Sequence, residues 1–153
     1  AGDTAQTLHD RLALLGAEAV CLALDKFSLG SWVGQIQDDE RSCYAPKLSK
    51  AEARLDWTRP AIELERAVRA YNPFPIAQVS YKGETWRIWH ADFSSGGTGL
   101  PGQIQKADHE GLQVSCGEGS LIIRALQKSG GKRLPADQFL RGNPVQEGDR
   151  FDA

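Results

Sequence analysis

The first stretch of the chain carries apolar residues at a helical period. Leu8, Leu12, Leu15, Ala19 and Leu22 recur three or four residues apart, and Val20, Leu24 and Phe27 widen the stripe, so residues 4–29 are predicted to be helix. Gly16 is expected to bend or split this helix and Gly30 to end it. So broad a stripe needs a cover, and no other helical stretch in the chain is long enough to supply one, so the helix is expected to belong to a larger domain. Residues 31–48 have no period and carry Asp38, Asp39 and Glu40, as a connector would. Ser49 and Glu52 have the spacing of a capping box opening a short turn at 50–54. A second helix is predicted over 60–71, with Thr58 as cap, Pro60 in the first turn and Leu64, Ala67, Val68 and Tyr71 as its buried stripe. Asn72-Pro73-Phe74-Pro75 stops it.

Beyond Pro75 the period falls to two. Ala77, Val79 and Tyr81 alternate with Gln78, Ser80 and Lys82, and a turn at Gly83 leads into a strand at 85–93 rich in Trp86, Ile88, Trp89 and Phe93. Further strands are predicted near 102–107, 111–116 and 120–127, after the Gly/Ser loop at 94–101 and separated by turns around Gly111 and at Gly117-Glu118-Gly119. Five short strands at this spacing suit a mostly β fold with flanking helices, a small OB-like Greek-key barrel over residues 76–127. A last short helix is expected at 135–142, before a polar tail.

Composition narrows the class. The chain has 153 residues, 41% apolar and 25% charged, with a mean hydropathy of −0.42, which is a globular composition able to bury a core. No apolar run reaches the roughly 20 residues that span a bilayer and no signal pattern opens the chain, so a cytoplasmic protein is expected. The absence of methionine is expected of a trimmed or excised chain. Cys21, Cys43 and Cys116 are odd in number and far apart, which argues against a disulfide framework, and the three separated histidines complete no zinc site. Net charge is −2 but unevenly spread. Residues 1–40 hold two bases against seven acids; residues 41–60 hold Arg41, Lys47, Lys50, Arg54 and Arg59 against Glu52 and Asp56; residues 124–141 hold Arg124, Lys128, Lys132, Arg133 and Arg141 against Asp137 alone.

Local chemistry is sparse. The Gly96-Gly97-Thr98-Gly99 loop precedes a strand rather than a helix, and Gly130-Gly131-Lys132-Arg133 lacks the first glycine and the Ser/Thr of a P-loop, so both are turns. His9, His90 and His109 take surface or packing roles, and no nucleophilic triad or Cys/His pair is placed. The tryptophans could stack bases, but Trp86 and Trp89 fall on opposite faces of a strand that looks buried on both, so core packing is expected of them.

The ordered motifs from residue 44 onward resemble a known family. Tyr44-Ala45-Pro46-Lys47-Leu48-Ser49-Lys50, Glu52-Ala53-Arg54-Leu55-Asp56-Trp57 and Arg69-Ala70-Tyr71-Asn72-Pro73-Phe74-Pro75 are similar to the start of the C-terminal region of methionyl-tRNA formyltransferases. Trp86-Arg87-Ile88-Trp89-His90-Ala91, Pro101-Gly102-Gln103-Ile104, Glu110-Gly111-Leu112-Gln113-Val114, Cys116-Gly117-Glu118-Gly119, Gly131-Lys132-Arg133-Leu134 and Phe139-Leu140-Arg141-Gly142 follow in the family's order. Asp3-Thr4, Leu8-His9-Asp10-Arg11-Leu12-Ala13 and Leu15-Gly16-Ala17 resemble the final helix region of its catalytic domain. Tyr71 and Phe74 depart mildly from the residues commoner at those places.

The resemblance implies three segments: a helical remnant of a Rossmann-like catalytic domain at 1–30, a connector at 31–57 and an OB-like tRNA-binding domain at 58–153. In that family a formyl group passes from 10-formyltetrahydrofolate to the α-amine of methionyl initiator tRNA, assisted by acid and base groups in the other half. No residue here is expected to be catalytic, no cofactor or metal is expected on this part, and the isolated chain is expected to be inactive. Its partner would be initiator methionyl-tRNA, bound by a monomer, with Lys47, Lys50, Arg54, Lys128, Lys132 and Arg133 lining one basic face against phosphates. A related formyltransferase acting on a sugar nucleotide or other small molecule stays open as the alternative; the Lys-Leu-Ser-Lys connector and the Gly-Lys-Arg loop favour the tRNA enzyme.

Overall fold

The computed structural model describes residues 2–31 and 33–152. It divides into two compact units, Ala1–Leu48 and Ser49–Ala153. The first unit is dominated by helix α1, Ala5–Ser28. Thr4 caps it, taking a hydrogen bond from the Thr7 amide at 3.2 Å while the Thr7 hydroxyl takes one from the Thr4 amide at 3.0 Å. The helix does not bend or split at Gly16; it runs through as one element, because a single glycine costs only about 1 kcal/mol against alanine and removes no hydrogen bond. It ends in a Schellman motif: Ser31 N–H donates to Lys26 O and Gly30 N–H to Phe27 O, with Gly30 at φ +66°. No residue of α1 is buried, and Leu12, Leu15, Leu22 and Phe27 stand exposed. A short 3-10 turn follows at Asp39–Arg41.

The second unit opens at the Ser49/Glu52 capping box, where the Glu52 carboxylate accepts from the Ser49 amide and hydroxyl. Residues 53–55 then run beside the sheet: Gln78 N–H donates to Ala53 O and Leu55 N–H to Gln78 O. Ala53, Leu55 and Trp57 are buried there, the alternating residues of a strand edge. Helix α2, Ala61–Ala70, has Pro60 rather than Thr58 in the N-cap position and no side-chain cap. Thr58 is held elsewhere, because Asp56 accepts both its amide and its hydroxyl at 3.0 and 2.7 Å and so keeps the carboxyl below the usual range. The helix buries Ala61, Leu64 and Val68 in the core that holds Trp86 and Ile88, with Tyr71 half-buried against it.

Strands β1 (Ala77–Tyr81), β2 (Glu84–Ser94), β3 (Ile104–Asp108), β4 (Gly111–Ser115), β5 (Ser120–Lys128) and β6 (Leu134–Pro135) form an antiparallel sheet, ordered β1-β2-β5-β4-β3 with β6 beside β5; helix α3, Ala136–Gly142, closes the series. The mostly β fold with helices matches the pattern, but two expectations need correction. Among the described residues there are six strands rather than five, since Leu134 and Pro135 pair with Leu126 and Ala125. And among the described residues no strand pair closes the sheet into a barrel; the end strands of the sheet are β1 and β3. The polar tail lies between those edges instead: Ile104 N–H donates to Asp149 O and Phe151 N–H to Gly102 O, while Asp152 N–H donates to Ser80 O. Backbone groups that an open sheet would leave bare are thus partnered by chain from outside the strands.

The core lies under the sheet, with Trp86 edge-on to Phe139 of α3 and to Phe151 of the tail. Cys116 is buried in it, and desolvation pushes its thiol up to about 11, while Cys21 and Cys43 are exposed. A thiol reagent at neutral pH is therefore expected to modify two cysteines promptly in the folded chain and the third only in denaturant; three fast thiols would contradict the burial. No helix among the described residues is long and apolar enough to cross a membrane.

Candidate nucleic-acid interface

The face of the sheet away from the core is polar, and strand alternation decides which side chains it presents. On β2, Trp86 and Ile88 point into the core and Arg87 to the other side. Pairing carries that position across the sheet: Arg54 bridges Gln78, Gln78 pairs with Arg87, and Arg87 pairs with Gln127. Residues directly opposite in a ladder share a face, so Arg54, Gln78, Arg87 and Gln127 form one row over four chain segments. With strands about 4.8 Å apart, the row spans ~14 Å from Arg54 to Gln127.

Beyond Gln127 the row leads to the glycine loop. The Gln127 amide donates to Gly131 O at 2.8 Å and its carbonyl accepts from the Trp89 indole N–H at 2.8 Å. The Arg133 guanidinium stands 5.1 Å over the Trp89 ring. Trp89 is therefore not a core residue like Trp86; it lies half-buried on the outer face and seats an arginine. Trp32 lies outside the described residues.

Four of the six basic residues singled out in the sequence come to this region of the second unit. Lys50 and Arg54 line a shallow depression of about 390 Å³ at the β1 edge, with Gln78, Ser80 and Thr85. Arg54 also borders a cavity of about 230 Å³ whose floor includes Trp57 and Phe151, and Arg150 lines the same cavity, its Nε donating to Pro101 O. Arg133 sits at the far end of the row, and Lys132 beside it is exposed. Lys128 is placed differently: it pairs with Trp86 across the ladder and its ammonium is 2.7 Å from the Glu84 carboxylate, a contact that holds Glu84 below the usual carboxylate range. Lys47 belongs to the first unit. Arg87 was missed by counting charge along segments, because its bases are summed over neighbours in sequence. The signal was the Trp86-Arg87-Ile88 alternation, which puts a cation on the face opposite two buried side chains.

His9, His90 and His109 are exposed, and no group of three His, Cys, Asp or Glu among the described residues could hold a metal ion.

A small antiparallel sheet backed by helices carries Arg54, Arg87 and Arg133 on its outer face. Residues 47–144 match the model of the formyl transferase C-terminal domain, and the chain belongs to that family. It is 53% identical to the methionyl-tRNA formyltransferase of Methylobacillus flagellatus over 97% of this chain and 48% of that protein. It is 48% identical to that of Dechloromonas aromatica over 99% of this chain and 48% of that protein. The chain thus spans about half the length of the curated relatives it matches. Among solved structures, a variant of HypX from Aquifex aeolicus superposes with a TM-score of 0.67 at 20% identity, covering 100% of this chain and 30% of that one, which shows a shared fold.

Proposed function

We propose that this chain is the C-terminal, tRNA-holding part of a methionyl-tRNA formyltransferase. The whole protein transfers a formyl group from 10-formyltetrahydrofolate to the α-amine of methionyl initiator tRNA in the cytoplasm, at the start of translation. The observation that carries this reading is the 53% identity to a methionyl-tRNA formyltransferase across 97% of the chain. In this assignment residues 1–30 are a remnant of the catalytic half, 31–57 the connector and 58–153 an OB-like domain, the partly open kind that binds oligonucleotides on its sheet. The exposed Leu12, Leu15, Leu22 and Phe27 of α1 suit a helix whose cover lies in that other half. The donor and the proton-transfer groups also belong there. This chain's part is to hold the tRNA backbone, as a monomer, through Lys50, Arg54, Lys132 and Arg133.

Phosphate contacts leave a measurable signature. Each releases counterions, so affinity falls with salt by a slope of about 0.9 per contact on a duplex, and four contacts lose on the order of 100-fold between 50 and 200 mM. Titrating initiator tRNA against the 153-residue chain at those two concentrations should show weak binding with this steep loss. Lys50→Ala and Lys132→Ala should each lower the slope by about one unit, equally for initiator and elongator tRNA, because the backbone carries no sequence. Salt-insensitive binding, or two substitutions without effect, would overturn the reading.

A further inference from the structure

We propose that Arg87 is the central phosphate contact of an arginine row, Arg54, Arg87 and Arg133, along which the tRNA backbone crosses the sheet perpendicular to its strands. This rests on the reading of the chain as a tRNA-holding part. The row is a product of register. Arg54 bridges Gln78 at the β1 edge, Arg87 pairs with Gln78 on one side and Gln127 on the other, and Arg133 precedes the Leu134 that pairs with Leu126. Cations therefore recur at every second strand, about 10 Å apart, with neutral glutamines between them. Arginine suits this role because its planar fork donates two parallel hydrogen bonds to one phosphate.

Charge and support both favour the occupant. Arg87 has no ion-pair partner among the described residues, in contrast to Lys106 with Asp108 and Glu110 on β3 and Arg124 with Asp92 on β5. Arg133 is held over the Trp89 ring, whose indole is itself fixed by Gln127, so its guanidinium is placed before any ligand arrives. A cation flanked by glutamines, unneutralised and presented on a half-exposed strand face, complements a polyanion lying across the strands.

The test uses the 153-residue chain and initiator tRNA, with binding measured over a series of salt concentrations. R87Q is expected to lower affinity several-fold and reduce the slope of log affinity against log salt by about one unit, and R87Q/R133Q by about two. R87K should keep most of the slope. K106Q on β3 removes the same charge at the other end of the sheet and should change neither. The melting temperature of R87Q should match the parent, since no ion pair is lost. If R87Q keeps the parent's slope while Lys50→Ala and Lys132→Ala lower theirs, the row is wrong and the tRNA reading stands. If the parent chain itself binds without salt dependence, both fall.

Discussion

Replacing Val68 with Asp should destroy the packing between α2 and the sheet. Val68 is 1% exposed and shares the core with Leu64, Trp86 and Ile88. A carboxylate at that position would be buried with no cation beside it, or would take up a proton at neutral pH, and either outcome costs about 3–5 kcal/mol. A domain of this size is stable by roughly 5–15 kcal/mol, and each kcal/mol moves its melting point by about 4–8 °C. V68D should therefore melt at least ~12 °C below the parent, or not fold. The near-ultraviolet circular dichroism of Trp86, which stacks tilted on Tyr81 and edge-on to Phe139, gives the readout. An unchanged transition would mean that α2 does not bury this face.

Gly117→Ala should be nearly as damaging, for a reason that lies in the backbone. A Cβ built there would come within 1.8 Å of Thr58 O and 2.6 Å of the Thr58 carbonyl carbon. Neither is the end of a flexible side chain. This turn is clasped to the chain that enters α2: Gly117 N–H donates to Arg59 O at 3.1 Å, and Ala61 N–H to Glu118 O at 2.8 Å. Making room for a methyl group must open that clasp and shift the helix it positions, at about 2–4 kcal/mol by the cost of overpacking and lost hydrogen bonds. Gly130→Ala provides the contrast. Gly130 has φ +75° but nothing within 4 Å of an added Cβ, so only the left-handed conformation is penalised, by about 1–2 kcal/mol. Chemical denaturation of the two variants should rank G117A well below G130A; equal stability would remove the close approach as the cause.

Within the sequence, local rules settled local structure. The period of α1, the alternation of β1 and β2, the Ser49/Glu52 box and the Asn-Pro-Phe-Pro stop all act through neighbours a few residues apart, and the elements they predict lie within a few residues of those observed. Where the local rule met a competitor it failed: Asp56 took Thr58 away from the helix cap, and Gly16 was too cheap to break a helix of 24 residues. The ordered motifs also carried the family, because they are themselves a property of the sequence.

The arrangement across the sheet was decided elsewhere. Whether five strands close depends on whether β1 reaches β3, and the tail from Gly148 to Asp152, which looks like a solvated terminus, instead hydrogen-bonds at Gly102 and Ile104 on one side and Ser80 on the other. The cationic face has the same origin. Arg54, Arg87 and Arg133 are 33 and 46 residues apart in the chain, and only the register of β1, β2, β5 and β6 puts them on one face. Alternation along one strand fixes a side chain's face relative to its own neighbours, whereas alignment between strands is a long-range hydrogen-bonding choice made when the whole sheet buries its core.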